Sequence, residues 1–215
     1  MNVLLLHAFP LDERMWEPQL PALRDHHVAA PRLYGRGHTM NGWADSIAGE
    51  TEGEFAVVGA SMGGYCALAL ARRAPERVRA LLLVGSRPDP DSPERREGRA
   101  DTIELIRRDG ADGLWRSMEP KLFGDTRNAD ASLMYRDPDA LVGAVEAIRD
   151  REDSTQLARD FPGPLKFVVG EHDGFVTPDD LSEFDVQVVP DAGHLVNIER
   201  PDEFNAILRE FLARV

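Results

Sequence analysis

The chain has 215 residues, 42% of them hydrophobic, which suits one domain with its own core and leaves room for one modest insertion. Acidic residues outnumber basic ones 38 to 25, and the formal net charge of −13 opposes partners built on phosphate backbones or anionic membrane surfaces, so no nucleic acid or membrane partner is expected. The lone cysteine, Cys66, excludes an internal disulfide and a cysteine-based metal site, and the apolar runs fall far short of a membrane span. The first residues, Met-Asn-Val-Leu-Leu-Leu-His, carry no basic start or small-residue cleavage site, which points to the cytoplasm.

In chain order, Val3 to His7 is a short apolar run that reads as a strand buried on both faces. Trp16, Leu20 and Leu23 have helical spacing over 16–25, and Val28 to Ala30 predicts a second strand before the Gly35-Arg36-Gly37 turn. Trp43 to Gly49 predicts a helix and Phe55 to Gly59 a strand, followed by a strong helix over Met62 to Arg73 that stops at Ala74-Pro75. Val78 to Val84 is the next strand. After Gly85 the chain turns charged and proline-punctuated, then shows helical patterns over Arg96 to Arg108, Ala111 to Met118 and Ala140 to Arg149. Strands return at Leu165 to Gly170 and Val186 to Val189, and an amphipathic helix carrying Phe204, Ile207, Leu208, Phe211 and Leu212 closes the chain. This alternation predicts an α/β fold with a mostly parallel central sheet and helices on both faces. Residues 1–87 and 161–215 form its core, and 88–160 a short helical lid above the carboxyl ends of the strands.

The chemistry concentrates at Gly59-Ala60-Ser61-Met62-Gly63-Gly64, where a Gly-x-Ser-x-Gly falls between a strand and a helix. Tiny neighbours let the hydroxyl stand clear of such a sharp turn, and the helix start beneath it favours developing negative charge. A serine nucleophile needs a base and a group that orients the base. His194, in a loop after the last strand, and Asp173, just after the preceding one, give the chain order Ser, Asp, His that this strand–turn–helix arrangement requires. His172 competes as the base, and Glu171, Asp179 and Asp191 compete as the acid. The amide after the nucleophile, on Met62, and an amide in the loop after the first strand, on Phe9, are the candidate oxyanion donors. Trp115, Met118, Leu122 and Phe123 either line an apolar substrate pocket or pack as lid core. His7 reads as a loop anchor, and His26, His27 and His38 as solvated.

Together, His7-Ala8-Phe9-Pro10, Gly35-Arg36-Gly37, the Ser61 turn, Gly170-x-x-Asp173 and Ala192-Gly193-His194 through Glu199-Arg200-Pro201 resemble the α/β-hydrolase superfamily over nearly the whole chain. Within it the chain looks like the small lidded esterase and enol-lactonase group, and Gly85-Ser86-Arg87 through Glu97-Gly98-Arg99 look like that group's lid entrance. The resemblance implies a catalytic triad of Ser61, Asp173 and His194, an oxyanion hole at Phe9 and Met62, and no metal or organic cofactor. It also implies hydrolysis of a small-molecule carboxylic ester by water. Enol-lactone or carbon–carbon bond hydrolysis is the alternative, and a non-catalytic ligand-binding protein of the same fold is the rival from another class. Ala8 stands where the family commonly has glycine, which implies a tighter oxyanion loop, and the short lid implies a more open pocket.

Overall fold

Six aliphatic runs build one sheet in the computed structural model, which describes residues 1–125 and 129–215. They are β1 (Asn2–Leu6), β2 (His27–Ala29), β3 (Phe55–Ala60), β4 (Val78–Val84), β5 (Leu165–Gly170) and β6 (Val186–Val189). Their order across the sheet is β2-β1-β3-β4-β5-β6, and every neighbouring pair is parallel. Successive side chains leave a strand on opposite faces, so each strand feeds two cores. Leu4, Leu6, Val57, Leu81, Leu83 and Phe167 enter one of them. Val3, Leu5, Ala56, Val58, Leu82 and Val168 enter the other.

The first face is covered by α1 (Met40–Glu50) and α2 (Met62–Arg73), with α2 buried continuously from Met62 to Ala71 because it lies across the central strands. The second face is covered by α7 (Pro201–Leu212), whose Phe204, Ile207, Leu208, Phe211 and Leu212 form its apolar stripe and meet Trp16 and Leu23. Trp16 lies in a segment where the sequence predicts an ordinary helix. The structure has a 3-10 segment at Glu13–Leu23 instead, because Pro18 and Pro21 remove amide donors from its interior. Strand β2 begins one residue earlier than predicted and is an exposed edge.

Between β4 and β5 the chain makes a helical excursion of α3 (Pro93–Leu122), α4 (Pro138–Arg149) and α5 (Thr155–Arg159). The two helices predicted at 96–108 and 111–118 are both present and meet at Gly110, whose φ of 64° and ψ of −163° no helix contains, so α3 is two helical pieces joined at a kink. α3 packs on α4, and α5 packs against α2. Positions 126–128 of the expected lid lie outside the described residues. Among the described residues no helix is long and apolar enough to cross a membrane.

The strand order places β1 between β2 and β3, so connections leave in opposite directions at the carboxyl ends of β1 and β3. Open parallel sheets bind ligands in the crevice at such a point. Phe9 follows β1 and Ser61 follows β3, which brings the two to that crevice.

Candidate active site

Ser61 is the one residue between the end of β3 and the start of α2, and it holds a φ of 49° and ψ of −112°. Few non-glycine residues adopt positive φ, so the surroundings must enforce it. The Ser61 amide donates to the Val84 carbonyl at 2.7 Å, and its carbonyl accepts from Ser86 Oγ at 2.6 Å and from the Gly64 amide at 2.9 Å. α2 crosses so close to β1 that a Cβ on Gly63 would stand 2.0 Å from the Leu6 carbonyl oxygen, which is why that position is glycine. The Ser61 hydroxyl makes no helix-capping bond and has no hydrogen-bond partner among the described residues.

His194 is buried, and its Nδ1 lies 2.9 and 2.8 Å from Asp173 Oδ1 and Oδ2. Oδ1 also accepts the Phe175 and Val176 amides, at 2.8 and 3.1 Å, which fixes the carboxylate before the imidazole reaches it. Burial opposes ionisation of Asp173, but the electrostatic pull of the His194 ring, its hydrogen bond and the two amides outweigh it and hold the carboxyl below the usual aspartate range. Gly85, at φ 53°, leaves room for the ring: a Cβ there would sit 2.9 Å from both Cε1 and Nδ1 of His194. Phe175 covers the ring from outside, with centroids 4.8 Å apart. The competing residues His172, Glu171 and Asp191 sit together on the surface, and Asp179 is exposed; none of them hydrogen-bonds to the His194 ring or lines the pocket described next.

Ser61 and His194 line one cavity of about 270 Å³ with Phe9, Tyr65, Met118, Leu122, Phe175, Arg87, Arg95 and Arg99. Neither the Phe9 nor the Met62 amide has a hydrogen-bond partner among the described residues. Of the apolar residues singled out in the sequence, Met118 and Leu122 face the cavity. Trp115 and Phe123 do not, because their rings pack edge to face at 6.3 Å. Sequence patterning does not single out Tyr65, although it stands one helical turn after Ser61 and therefore on the same face of α2.

Sequence patterning gives Glu199 no role of its own either. Its carboxylate accepts the Gly193 amide on Oε1 at 2.9 Å and the Gly124 and Asp125 amides on Oε2 at 2.9 and 3.1 Å. The Leu122 carbonyl accepts the His194 amide at 3.1 Å, so the end of α3 and the histidine loop are held as one piece. Burial pushes the Glu199 carboxyl upward despite these donors.

His7 is fully buried outside the cavity, where its Nε2 accepts the Leu33 amide at 2.9 Å and ties the loop after β1 to the one after β2. Burial lowers its pKa to about 4, against an ordinary value of 6.5. Between those values the unfolded chain binds the proton and the folded chain does not. The stability is therefore fully present above pH 6.5 and declines as the pH falls toward 4, by up to about 3 kcal/mol. Tm measured from pH 7 to 4.5 should drop accordingly, and His7→Gln should flatten that drop; an equally steep fall in the variant would show that another group causes it.

Residues 3–207 match the model of the Alpha/beta hydrolase family. A pimeloyl-[acyl-carrier protein] methyl ester esterase from Aromatoleum aromaticum is 28% identical, with 97% of each chain covered. Among solved structures, a thermophilic esterase from Thermogutta terrifontis, with malate bound, is 34% identical at a TM-score of 0.88, covering 99% of this chain and 89% of that one. The enol-lactonase from Burkholderia xenovorans LB400 is 25% identical at a TM-score of 0.84, covering 99% and 91%. Esterase-type hydrolysis is the activity these relatives share, and by sequence and by fold the chain belongs to the Alpha/beta hydrolase family.

Proposed function

We propose that this hydrolase is a serine carboxylesterase that cleaves small esters through an acyl-enzyme, with Ser61 as nucleophile, His194 as base and Asp173 as the group that orients the base. The observation that carries the reading is an unbonded hydroxyl on a strained turn, opening into the same cavity as an imidazole whose far nitrogen is already held by a carboxylate. With Nδ1–H committed to Asp173, Nε2 is left as the basic nitrogen. It takes the Ser61 proton as the oxygen attacks the ester carbonyl, and the unpaired amides of Phe9 and Met62 receive the oxyanion. His194 returns the proton to the leaving alcohol. Water then repeats the attack, with the same base, and releases the acid. Each step uses only groups of this chain and water, and the helical segment over 88–160 serves as the lid.

The relatives named as esterases support an oxygen ester as the bond cleaved, and the enol-lactonase supports a lactone as the second choice because its carbonyl would meet the same groups. The test combines a fluorophosphonate probe with a panel of p-nitrophenyl esters and an enol-lactone. Rapid stoichiometric labelling of Ser61 with multiple turnover on short esters is expected. Slow labelling with no turnover would mean a ligand-binding protein, and a preference for the lactone would move the assignment to a lactonase.

A further inference from the structure

The chain carries an excess of acid, yet among the described residues no carboxylate lines the cavity that holds Ser61 and His194, whereas Arg87, Arg95, Arg99 and Lys121 all do. Arg95, Gly98, Arg99 and Thr102 follow one another at helical spacing, so one face of α3 supplies most of this wall. The carboxylates that pair with the arginines stand behind them. Arg87 meets Asp89 and Asp180, at 2.5 and 3.0 Å, and Arg95 meets Asp89 at 2.7 Å.

Arg99 is placed most deliberately. Its Nε donates to Asp91 Oδ2 at 3.0 Å, and the Asp91 side chain is wholly buried. Oδ1 of the same carboxylate accepts from Arg151 Nη1 at 2.6 Å, and the Arg151 guanidinium lies 4.2 Å over the ring of Tyr65, itself a cavity residue. Arg99 is thus oriented by one nitrogen, and its two terminal nitrogens have no hydrogen-bond partner among the described residues. Lys121 has no ion-pair partner among them either. Four cations line the cavity, Arg87, Arg95, Arg99 and Lys121, and the carboxylates paired with them are three, Asp89, Asp91 and Asp180, of which Asp91 is shared with Arg151 behind the wall. A cavity with this surplus repels nothing anionic, and two parallel N–H donors match the two oxygens of a carboxylate.

We infer that the substrate carries a free carboxylate several bonds from the scissile carbonyl, as in the half-ester of a dicarboxylic acid, and that Arg99 is the residue that selects it. The inference rests on the reading of Ser61 as the nucleophile. Asp91 acts through Arg99 and is a positioning residue.

The test compares p-nitrophenyl hydrogen glutarate with its methyl-capped, uncharged counterpart. The wild type should favour the charged ester in kcat/KM by about tenfold or more, the range expected for a charge-assisted hydrogen-bonded contact. Arg99→Gln should lower that ratio about tenfold, mainly through KM, and Arg99→Lys should keep part of it. Arg108→Gln removes the same charge from an exposed part of α3 paired with Asp109, and should leave the ratio alone. Equal rates for the two esters, or a ratio untouched by Arg99→Gln, would overturn the inference. Should no ester turn over, the nucleophile reading falls while the anion site is still measured: glutarate should raise Tm of the wild type and not of Arg99→Gln, and no shift in the wild type would overturn it.

Discussion

Replacing Ser61 with alanine is expected to cut kcat/KM for short esters by about a millionfold, the scale seen when the nucleophile of a serine–histidine–aspartate unit is removed. The fold should survive, because what holds this turn is its backbone: the Ser61 amide on Val84, its carbonyl on Ser86 and Gly64, and the bare Cα of Gly63 against Leu6. None of these uses the hydroxyl. Strain at a φ of 49° and ψ of −112° costs on the order of 1–3 kcal/mol for a residue with a Cβ. Ser61→Gly should therefore be as inactive as the alanine variant and more stable than the wild type by ~1 kcal/mol in urea unfolding. Ordinary turnover by Ser61→Ala would remove Ser61 from the mechanism. A glycine variant less stable than wild type would show that the turn is not strained in the way its dihedrals imply.

The placement of the candidate residues that depends on local rules was legible in the sequence. Ser61 announces itself through the glycines on either side, since a strand cannot turn into a helix over one residue unless its neighbours are small. Asp173 and His194 follow because parallel strands deliver their carboxyl ends to one edge of a sheet, so residues just past β5 and β6 arrive near the residue just past β3. The cationic wall obeys no such local rule. Arg87, Asp89, Asp91, Arg95 and Arg99 sit in a stretch that the sequence marks only as charged and proline-punctuated, with a resemblance to a lid entrance. Only the burial of Asp91 between Arg99 and Arg151, sixty positions apart in the case of Arg151, turns part of it into an ordered interior network. Trp115 and Phe123 show the converse: large apolar residues at helical spacing look like pocket lining, but their rings satisfy each other. Over Glu13–Leu23 the spacing of Trp16, Leu20 and Leu23 predicts one apolar face, yet Leu20 is exposed and Met15, Trp16, Gln19 and Leu23 are the buried residues, because the prolines tighten the winding and shift which side faces the core.

Asp173→Asn carries the second large effect and separates orientation from charge. In the wild type both oxygens face His194 Nδ1, and Oδ1 is also committed to the amides of Phe175 and Val176. The asparagine must leave its carbonyl oxygen on those amides, since its NH2 group cannot accept from them. That places the NH2 at the Oδ2 position, the nearer of the two to Nδ1, where a ring N–H would meet an amide N–H, so the tautomer with an acceptor at Nδ1 is favoured and the ring proton moves to Nε2. A protonated Nε2 cannot take the Ser61 proton, so kcat should fall about 10⁴-fold with little change in KM, the loss expected when a histidine is held in the wrong tautomer. The variant should stay folded, because the replacement keeps the shape of the side chain and its bonds to both amides. Rapid fluorophosphonate labelling should be lost in parallel with turnover, since both require the same activated oxygen. A variant that labels at the wild-type rate but no longer turns over would confine the role of Asp173 to deacylation, and one that retains full activity would assign the orienting role to a different carboxylate.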